Sequence, residues 1–473
     1  MRRFLVVTML FVSMGSAGAR AQEQGTQTVK GPDERFKTDI LVVVAHPDDE
    51  GGVSPYLARA IYDEHKRVAV VFATRGGSGG NDYTREHGPA LADIREQEAR
   101  QACAKLGITN VWFLEGKDTA SQNVLNSLAN WGHGANLEAL VRIVRMTRPE
   151  VMITWLPGIF IGENHGDHQA SGVLATEAFD LANDLTAFPA QVAGASKRLE
   201  QYLENLTPWQ PKKLYFFSDA DDQKQFDGTG PAYSVKEISP SQKKSYWRLA
   251  LDAATPHLTQ FPAEIHQLTA LSDDQLNKFM EDPQHQWWSE PLTLIFGKAA
   301  PPTPRWQAIF SDIEPRQKEP PATVETYSGP AATFDALAPL GMALGGPWSY
   351  YRAFWSVHQL KQIPVARGAE IAVKSGSIVA IPIIVTHKAG APREISLKVT
   401  VPNGWTVVSG TGKSNLPDEE TTYLRVEVQT PDVQPKDLKD RQAESIIVEG
   451  TTGNTVFGSV GMRVLLRASA LPE

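Results

Sequence analysis

The sequence predicts a Rossmann-like, three-layer α/β/α domain with a mostly parallel sheet, followed by an all-β, immunoglobulin-like sandwich. Three observations predict it. Short, β-branched apolar runs alternate with amphipathic stretches from Asp39 to about Asp184. A proline-dense stretch then interrupts the chain between Lys298 and Pro321. Beyond about Pro364 the hydrophobic period drops to two, the period of half-buried strands.

The elements follow in order. Residues 1–21 read as a cleaved leader: Arg2 and Arg3 supply charge, Phe4 to Val12 an apolar run, and Ala19-Arg20-Ala21 a cleavage site before Gln22. The apolar run is short for the roughly 20 residues that a membrane span needs, so the leader predicts export rather than an anchor. The expected location is secreted or periplasmic, with no integral span after the leader is removed. The α/β domain is assigned to residues 36–300. Ile40–Ala45, Arg67–Ala73, Val111–Leu114, Val151–Trp155 and Lys213–Phe217 are its strands, mostly apolar as strands covered on both faces must be. Pro55–Lys66, Ala92–Leu106 and Leu137–Thr147 are helices. Gly107 stands where a C-cap belongs, and Pro149 ends the third. Two later helices are expected near Ser241–Ala254 and Ser272–Met280. Pro301, Pro302, Pro304, Pro315, Pro320 and Pro321 mark residues 301–363 as a connector, whose aromatic and glycine-rich second half carries no clear element. Residues 364–468 form the sandwich: Glu370–Val373, Ile378–Thr386, Glu394–Val401, Thr421–Gln429, Glu444–Glu449 and Val456–Leu466 are its strands, separated by turns such as Pro402-Asn403-Gly404.

Composition narrows the function. The chain has 473 residues, 41% hydrophobic and 21% charged, which is ordinary for a globular protein and long enough for two or three domains. Its net charge of −8, with no long basic run, argues against nucleic acid as the main partner. The single Cys103 lies in a predicted helix and excludes an internal disulfide, so the cores alone must hold the fold. No feature fixes an oligomeric state.

Two clusters carry chemistry. Ala45-His46-Pro47-Asp48-Asp49-Glu50 follows the first strand directly, and His165-Gly166-Asp167-His168 follows the fourth. Open α/β sheets build sites at the carboxyl ends of strands. A hydrolytic zinc needs three protein ligands, an open position for water and a base. His46 and Asp49 from the first turn and His168 from the loop after the fourth strand supply the ligands, and Asp48 the base. His165 is then free to face substrate and, as a cation, to stabilise an oxyanion. Asp167 between them would hold the His165 imidazolium. The plainer alternatives are that Asp48 or Asp49 merely caps the next helix, and that the later histidines lie in a solvated loop.

These two segments resemble the PIG-L/LmbE deacetylases, zinc enzymes that remove N-acyl groups from sugar amines. The resemblance implies His46 and Asp49 as zinc ligands with Asp48 as base, and His165 as electrostatic catalyst with His168 as third ligand. It covers Asp39 to Asp184 well and continues weakly to about Gly297, where Pro256-His257-Leu258-Thr259-Gln260 looks like a family His-x-x-Gln element. Arg95, in an Arg95-Glu96-Gln97-Glu98 segment similar to one in the family, either reaches substrate or lies on a plain surface helix. Arg75 opens a glycine-rich loop, Arg75 to Gly80, expected to be flexible and on the substrate side. Asp118, at the end of the third strand, is a candidate for a sugar hydroxyl. The sandwich resembles NEW3-type modules of carbohydrate-active enzymes. The expected activity is therefore zinc-dependent N-deacetylation of an amino sugar or glycoconjugate. Two rivals are a glycan- or envelope-binding protein with a vestigial site, and a metal phosphoesterase, which would need a second set of metal ligands that the two motifs do not supply.

Overall fold

The computed structural model describes residues 34–160, 165–193, 204–220, 223–260, 262–279, 290–301, 308–313, 340–360, 369–387, 390–417, 421–438 and 442–468. The expected leader, 1–21, lies outside them.

In chain order the α/β region runs β1 (Ile40–Val44), α1 (Ser54–Tyr62), β2 (Val68–Thr74), α2 (Pro89–Lys105), β3 (Asn110–Gly116), α3 (Val124–Trp131), α4 (His133–Thr147), β4 (Val151–Trp155), α5 (Gly166–Leu181), α6 (Pro189–Val192), β5 (Lys213–Phe217), β6 (Ala232–Tyr233), α7 (Tyr246–Ala254), α8 (Pro262–Thr269), α9 (Asp273–Phe279), β7 (Leu292–Thr293) and β8 (Ile295–Ala299). Its main sheet has the order β3-β2-β1-β4-β5-β8. The first five strands are parallel, and β8 closes the edge antiparallel to β5. Every residue of β1, β2, β4 and β5 is buried, as continuous apolar runs require when helices cover both faces. Alternate residues divide between two cores. Ile40, Val42 and Val44 pack with α1 and α7, while Leu41, Val43 and Ala45 pack with α3, α4 and α5. Cys103 is core, and burial pushes its thiol up.

The chain runs outward from β1 through β2 to β3, then returns to the other side of β1 for β4. The connections therefore diverge between β1 and β4, which opens a crevice at the carboxyl ends of those two strands. Both chemical clusters follow these two strands.

Some boundaries differ from expectation. Helix α2 starts at Pro89, where proline suits a first turn. Helix α4 starts at His133, and the short α3 before it, capped by the Asn123 side chain on Leu125 N–H, was not foreseen.

The C-terminal region runs β9 (Leu340–Leu344), α10 (Pro347–Val357), β10 (Ala369–Lys374), β11 (Ile378–His387), β12 (Glu394–Thr400), β13 (Thr406–Ser409), β14 (Gly412–Asn415), β15 (Thr421–Gln429), β16 (Glu444–Thr452) and β17 (Thr455–Arg467). Two sheets, β10-β17-β16-β12-β14 and β13-β15-β11-β9, enclose a core that includes Ile381, Ile383 and Val385 opposite Ile446, Val448 and Met462. The sandwich thus begins inside the expected connector. Residues 340–344 pair with β11, and α10 buries Tyr351, Phe354 and Trp355 in the α/β domain's core. The aromatic density that obscured this stretch is what makes it a packing element rather than a linker.

Candidate metal and catalytic site

The turn after β1 is built around one carboxylate. Asp49 Oδ2 accepts hydrogen bonds from the backbone N–H of Ala45 (2.9 Å) and His46 (2.8 Å) and from the Trp155 indole (2.9 Å). Its other oxygen, Oδ1, faces His168 Nε2 at 3.2 Å and His46 Nδ1 at 3.6 Å. Burial raises the Asp49 carboxyl, but His168 and His46 outweigh it and hold the group well below the usual carboxylate range. Trp155, the last residue of β4, also stacks flat on His168, with ring centroids 4.2 Å apart and planes at 3°. One indole therefore orients a residue from each motif.

His46 is gripped from the other side. Its Nε2 lies 3.2 Å from Asp118 Oδ1 and 3.4 Å from Asp167 Oδ2. A proton on Nε2 satisfies both carboxylates and leaves Nδ1 to face Asp49, the arrangement that fixes a ligand histidine's tautomer. Burial alone would lower His46, but Asp49, Asp118 and Asp167 raise it well above the ordinary value. Asp118 is lowered, its burial outweighed by His46. It is held in turn by Ser78, whose N–H donates to Oδ2 at 2.7 Å. Asp167 accepts from Thr119 N–H and Oγ1, both at 3.0 Å.

Asp48 stands beside this group on a left-handed backbone, φ 107°. A non-glycine residue there carries strain on the order of 1–3 kcal/mol, of the kind that collects at functional sites. The Asp48 side chain makes no capping bond to the following turn, and α1 is preceded by Val53 with no side-chain cap, which removes the helix-cap alternative for Asp48 and Asp49. Arg95 lies beneath it: one guanidinium nitrogen is 3.2 Å from Asp48 Oδ1 and donates to Pro47 O at 2.6 Å, and the other donates to Gly76 O at 2.9 Å. Glu50 accepts from Asp48 N–H at 3.0 Å and meets His257 Nε2 at 2.6 Å. Burial pushes the Asp48 carboxyl up to about 6, with Arg95 opposing and Asp49 adding to the rise. Burial would lower His257, but Glu50 raises it, with Asp48 and Glu98 acting in the same direction.

His165 caps the opposite wall. Its ring centroid is 4.9 Å from that of His46 and 5.0 Å from that of His168, and its Nδ1 is buried with no hydrogen-bond partner among the described residues. Burial, with His46 and His168 nearby, lowers it to about 3, so it is a neutral imidazole at neutral pH and not the expected cation. The expected bond from Asp167 is also redirected: both Asp167 oxygens serve Thr119 and His46. His168 lies in the first turn of α5 rather than in a loop, so the solvated-loop alternative falls.

The substrate-side candidates divide. Asp118 lies inside the cluster. Arg75 turns to α2, paired with Asp93 and with Glu96 at 2.7 Å. Arg95 is buried, neither exposed on a surface helix nor open to solvent as a substrate contact. The glycine loop wraps it: a Cβ on Gly76 would meet the guanidinium at 2.6 Å, and Gly76 has φ +69°. The glycines thus serve close packing around Arg95. Trp155, Glu50 and Thr119 were not foreseen as site residues. Trp155 had one sequence signal, its place at a strand's carboxyl end.

The donors suit a divalent metal. His46, His165 and His168 offer ligand atoms within 4.8 Å of one another, and so do His46, Asp118 and Asp167, a second set that the motifs did not reveal. Imidazole nitrogen with carboxylate oxygen is a ligand set for zinc and related metals.

Residues 41–179 match the family model described as PIG-L: GlcNAc-PI de-N-acetylase. A 1D-myo-inositol 2-acetamido-2-deoxy-alpha-D-glucopyranoside deacetylase 1 of Frankia alni is 34% identical over 188 residues, 36% of this chain and 59% of that protein. The deacetylase of the same name from Thermobifida fusca is 26% identical over 256 residues, 47% of this chain and 82% of that protein. The match therefore spans less than two thirds of the first relative. Among solved structures, an N,N'-diacetylchitobiose deacetylase from Pyrococcus horikoshii aligns at 19% identity over 55% of this chain and 83% of that one, with a TM-score of 0.38.

Proposed function

Because the chain carries a PIG-L family domain at residues 41–179, we propose that it is a zinc-dependent hydrolase that removes an N-acetyl or other N-acyl group from an amino sugar or glycoconjugate. The leader-like residues 1–21 support a secreted or periplasmic site of action. One observation carries the chemical reading: Asp49 Oδ1 meets His168 and His46 at one point in the β1/β4 crevice, with Asp48 beside it. The deacetylase names of the relatives support the substrate class. Among the described residues no helix is long and apolar enough to cross a membrane.

His46, Asp49 and His168 would hold the zinc. When bound, it lowers the pKa of water and polarises an acyl oxygen. The rest of the chemistry belongs to the chain. Asp48, with a carboxyl near 6, is ionised at neutral pH and takes a proton from the attacking water. It returns that proton to the nitrogen as the C–N bond breaks, because an amine anion is too basic to leave. Neutral His165 donates an N–H to the developing oxyanion, a hydrogen bond rather than a charge. Arg95 and Glu50 aim Asp48, and Asp118 and Asp167 aim His46. Asp118 lies near enough to the crevice to accept a sugar hydroxyl, and Arg75 borders the same loop.

The test is amine release from a panel of N-acetylated sugars by protein beginning at Gln22 and loaded with zinc. Asp48→Ala should lower release by about 10²- to 10⁴-fold while zinc content stays at the wild-type value. Zinc bound without release from any panel member would overturn the sugar substrate. Neither zinc nor release would overturn the metal site and favour a binding protein.

A further inference from the structure

The residue after His168 has a partner from another part of the fold. Gln169 is fully buried, its Oε1 accepts the Tyr351 hydroxyl at 2.7 Å, and its Nε2 has no hydrogen-bond partner among the described residues. Tyr351 lies on α10, the helix inserted between β9 and β10 of the sandwich. Four residues on, and so on the same face, Trp355 donates its indole N–H to Pro157 O at 3.1 Å, in the loop that leaves β4. Just past the end of α10, His358 Nδ1 meets Asp180 Oδ2 at 2.5 Å, and Asp180 also pairs with Lys298 of β8. Helix α10 is thus fastened to the β4–α5 loop, to the first turn of α5 and to its last. Gln169 and Asp180 are eleven residues apart, about 16 Å along a helix.

We propose that Tyr351 and Gln169 are a positioning pair for His168, through which the sandwich region sets the first turn of α5 and the direction of the His168 ring. The role rests on the metal reading above. Gln169 spends one of its two polar ends on Tyr351, and among the described residues the tyrosine hydroxyl is the side chain's only polar anchor. The first turn of a helix is its least restrained part, because its N–H groups lack intrahelical acceptors. Gln169 N–H makes the ordinary bond four residues back, to His165 O, and at 3.3 Å it is a long one. A purely space-filling role would not need the hydroxyl, since a phenylalanine ring occupies nearly the same volume.

The experiment uses the full chain with Tyr351→Phe, Gln169→Leu and the pair together. It reads zinc affinity by chelator competition, amide exchange over residues 165–172 in metal-free protein, and Tm. Tyr351→Phe should weaken zinc about threefold to tenfold, less than the 10- to 100-fold typical of a direct outer-sphere partner. It should also speed exchange over 165–172 several-fold, with Tm moved by only a few degrees. Gln169→Leu should act alike, and the double variant should be no worse than Gln169→Leu. Unchanged exchange in Tyr351→Phe would overturn the pairing. Faster exchange with unchanged zinc affinity would make the pair a brace of the helix and overturn its positioning role. A wild-type chain that holds no zinc would overturn the metal reading itself, and the positioning role with it.

Discussion

At the scale of single residues, the site is a set of side chains that each do two jobs. Trp155 donates to Asp49 and stacks on His168. Trp155→Phe keeps a flat ring and deletes the N–H, so zinc affinity should fall about 10- to 100-fold, as when an outer-sphere partner is lost. Chelator competition reads this, and an unchanged affinity would dismiss the indole's role. Arg95 opposes the rise of the Asp48 carboxyl toward 6. If Asp48 is the base proposed above, it must be ionised, so activity should be present above its pKa and lost as pH falls through it. Arg95→Gln should therefore move the acid limb of kcat/KM to higher pH. A limb that stays in place, with the variant folded by circular dichroism, would remove Arg95 from the tuning of Asp48. The motif residues were legible because two short strings after apolar strands state their own chemistry. Glu50's partner His257 is 207 positions away in sequence, and Arg95 read equally as a substrate contact or a surface arginine. Only the closed fold shows that both lie under Asp48.

At the scale of elements, α5 carries Asp167 and His168 and packs tightly on β4. A Cβ on Gly172 would meet Trp155 O at 2.3 Å and Pro157 N at 3.0 Å. Gly172→Ala should cost about 1–3 kcal/mol or more in denaturant unfolding, the usual scale of forced overpacking. A loss under half a kcal/mol would mean that the loop yields freely. The start of α4 is tied to α5 by His133 and Glu177, 2.5 Å apart. That hydrogen bond raises His133 above 6.5 against its partial burial. A raised folded pKa gives stability that is full below 6.5 and fades as pH rises through the folded value. The Tm gap between wild type and His133→Gln should therefore be widest near pH 6 and close above neutrality, and a gap independent of pH would refute the linkage. Strands β4 and β5, concentrated apolar runs, and β15, which alternates, were readable to the residue. Helix α3 and strands β13 and β14 were missed, since eight or four residues are too few for a period to declare itself.

For the whole molecule, the sequence divided the chain into domain, connector and sandwich, and the structure has a mostly parallel α/β region followed by an all-β one. Part of the expected connector packs instead, because its aromatic residues answer to a surface on the other domain that local pattern cannot reveal. Trp355, one of these residues, is buried against the α/β core. Trp355→Ala should cost about 3–5 kcal/mol and split calorimetric unfolding into two transitions, where the wild type shows one. Two transitions already in the wild type would show the domains to be uncoupled. The helix that carries Trp355 leaves the sandwich after β9, lies against α5, and precedes β10 in the sandwich. In the currency of gene recombination, such a module cannot be exchanged at a simple boundary. A crossover between the last strand of the α/β sheet and α10 would deliver the α/β domain a stranger's helix, and one between α10 and β10 would part β9 from its partner β11, so the two halves of this chain are expected to have been inherited, and to diverge, together.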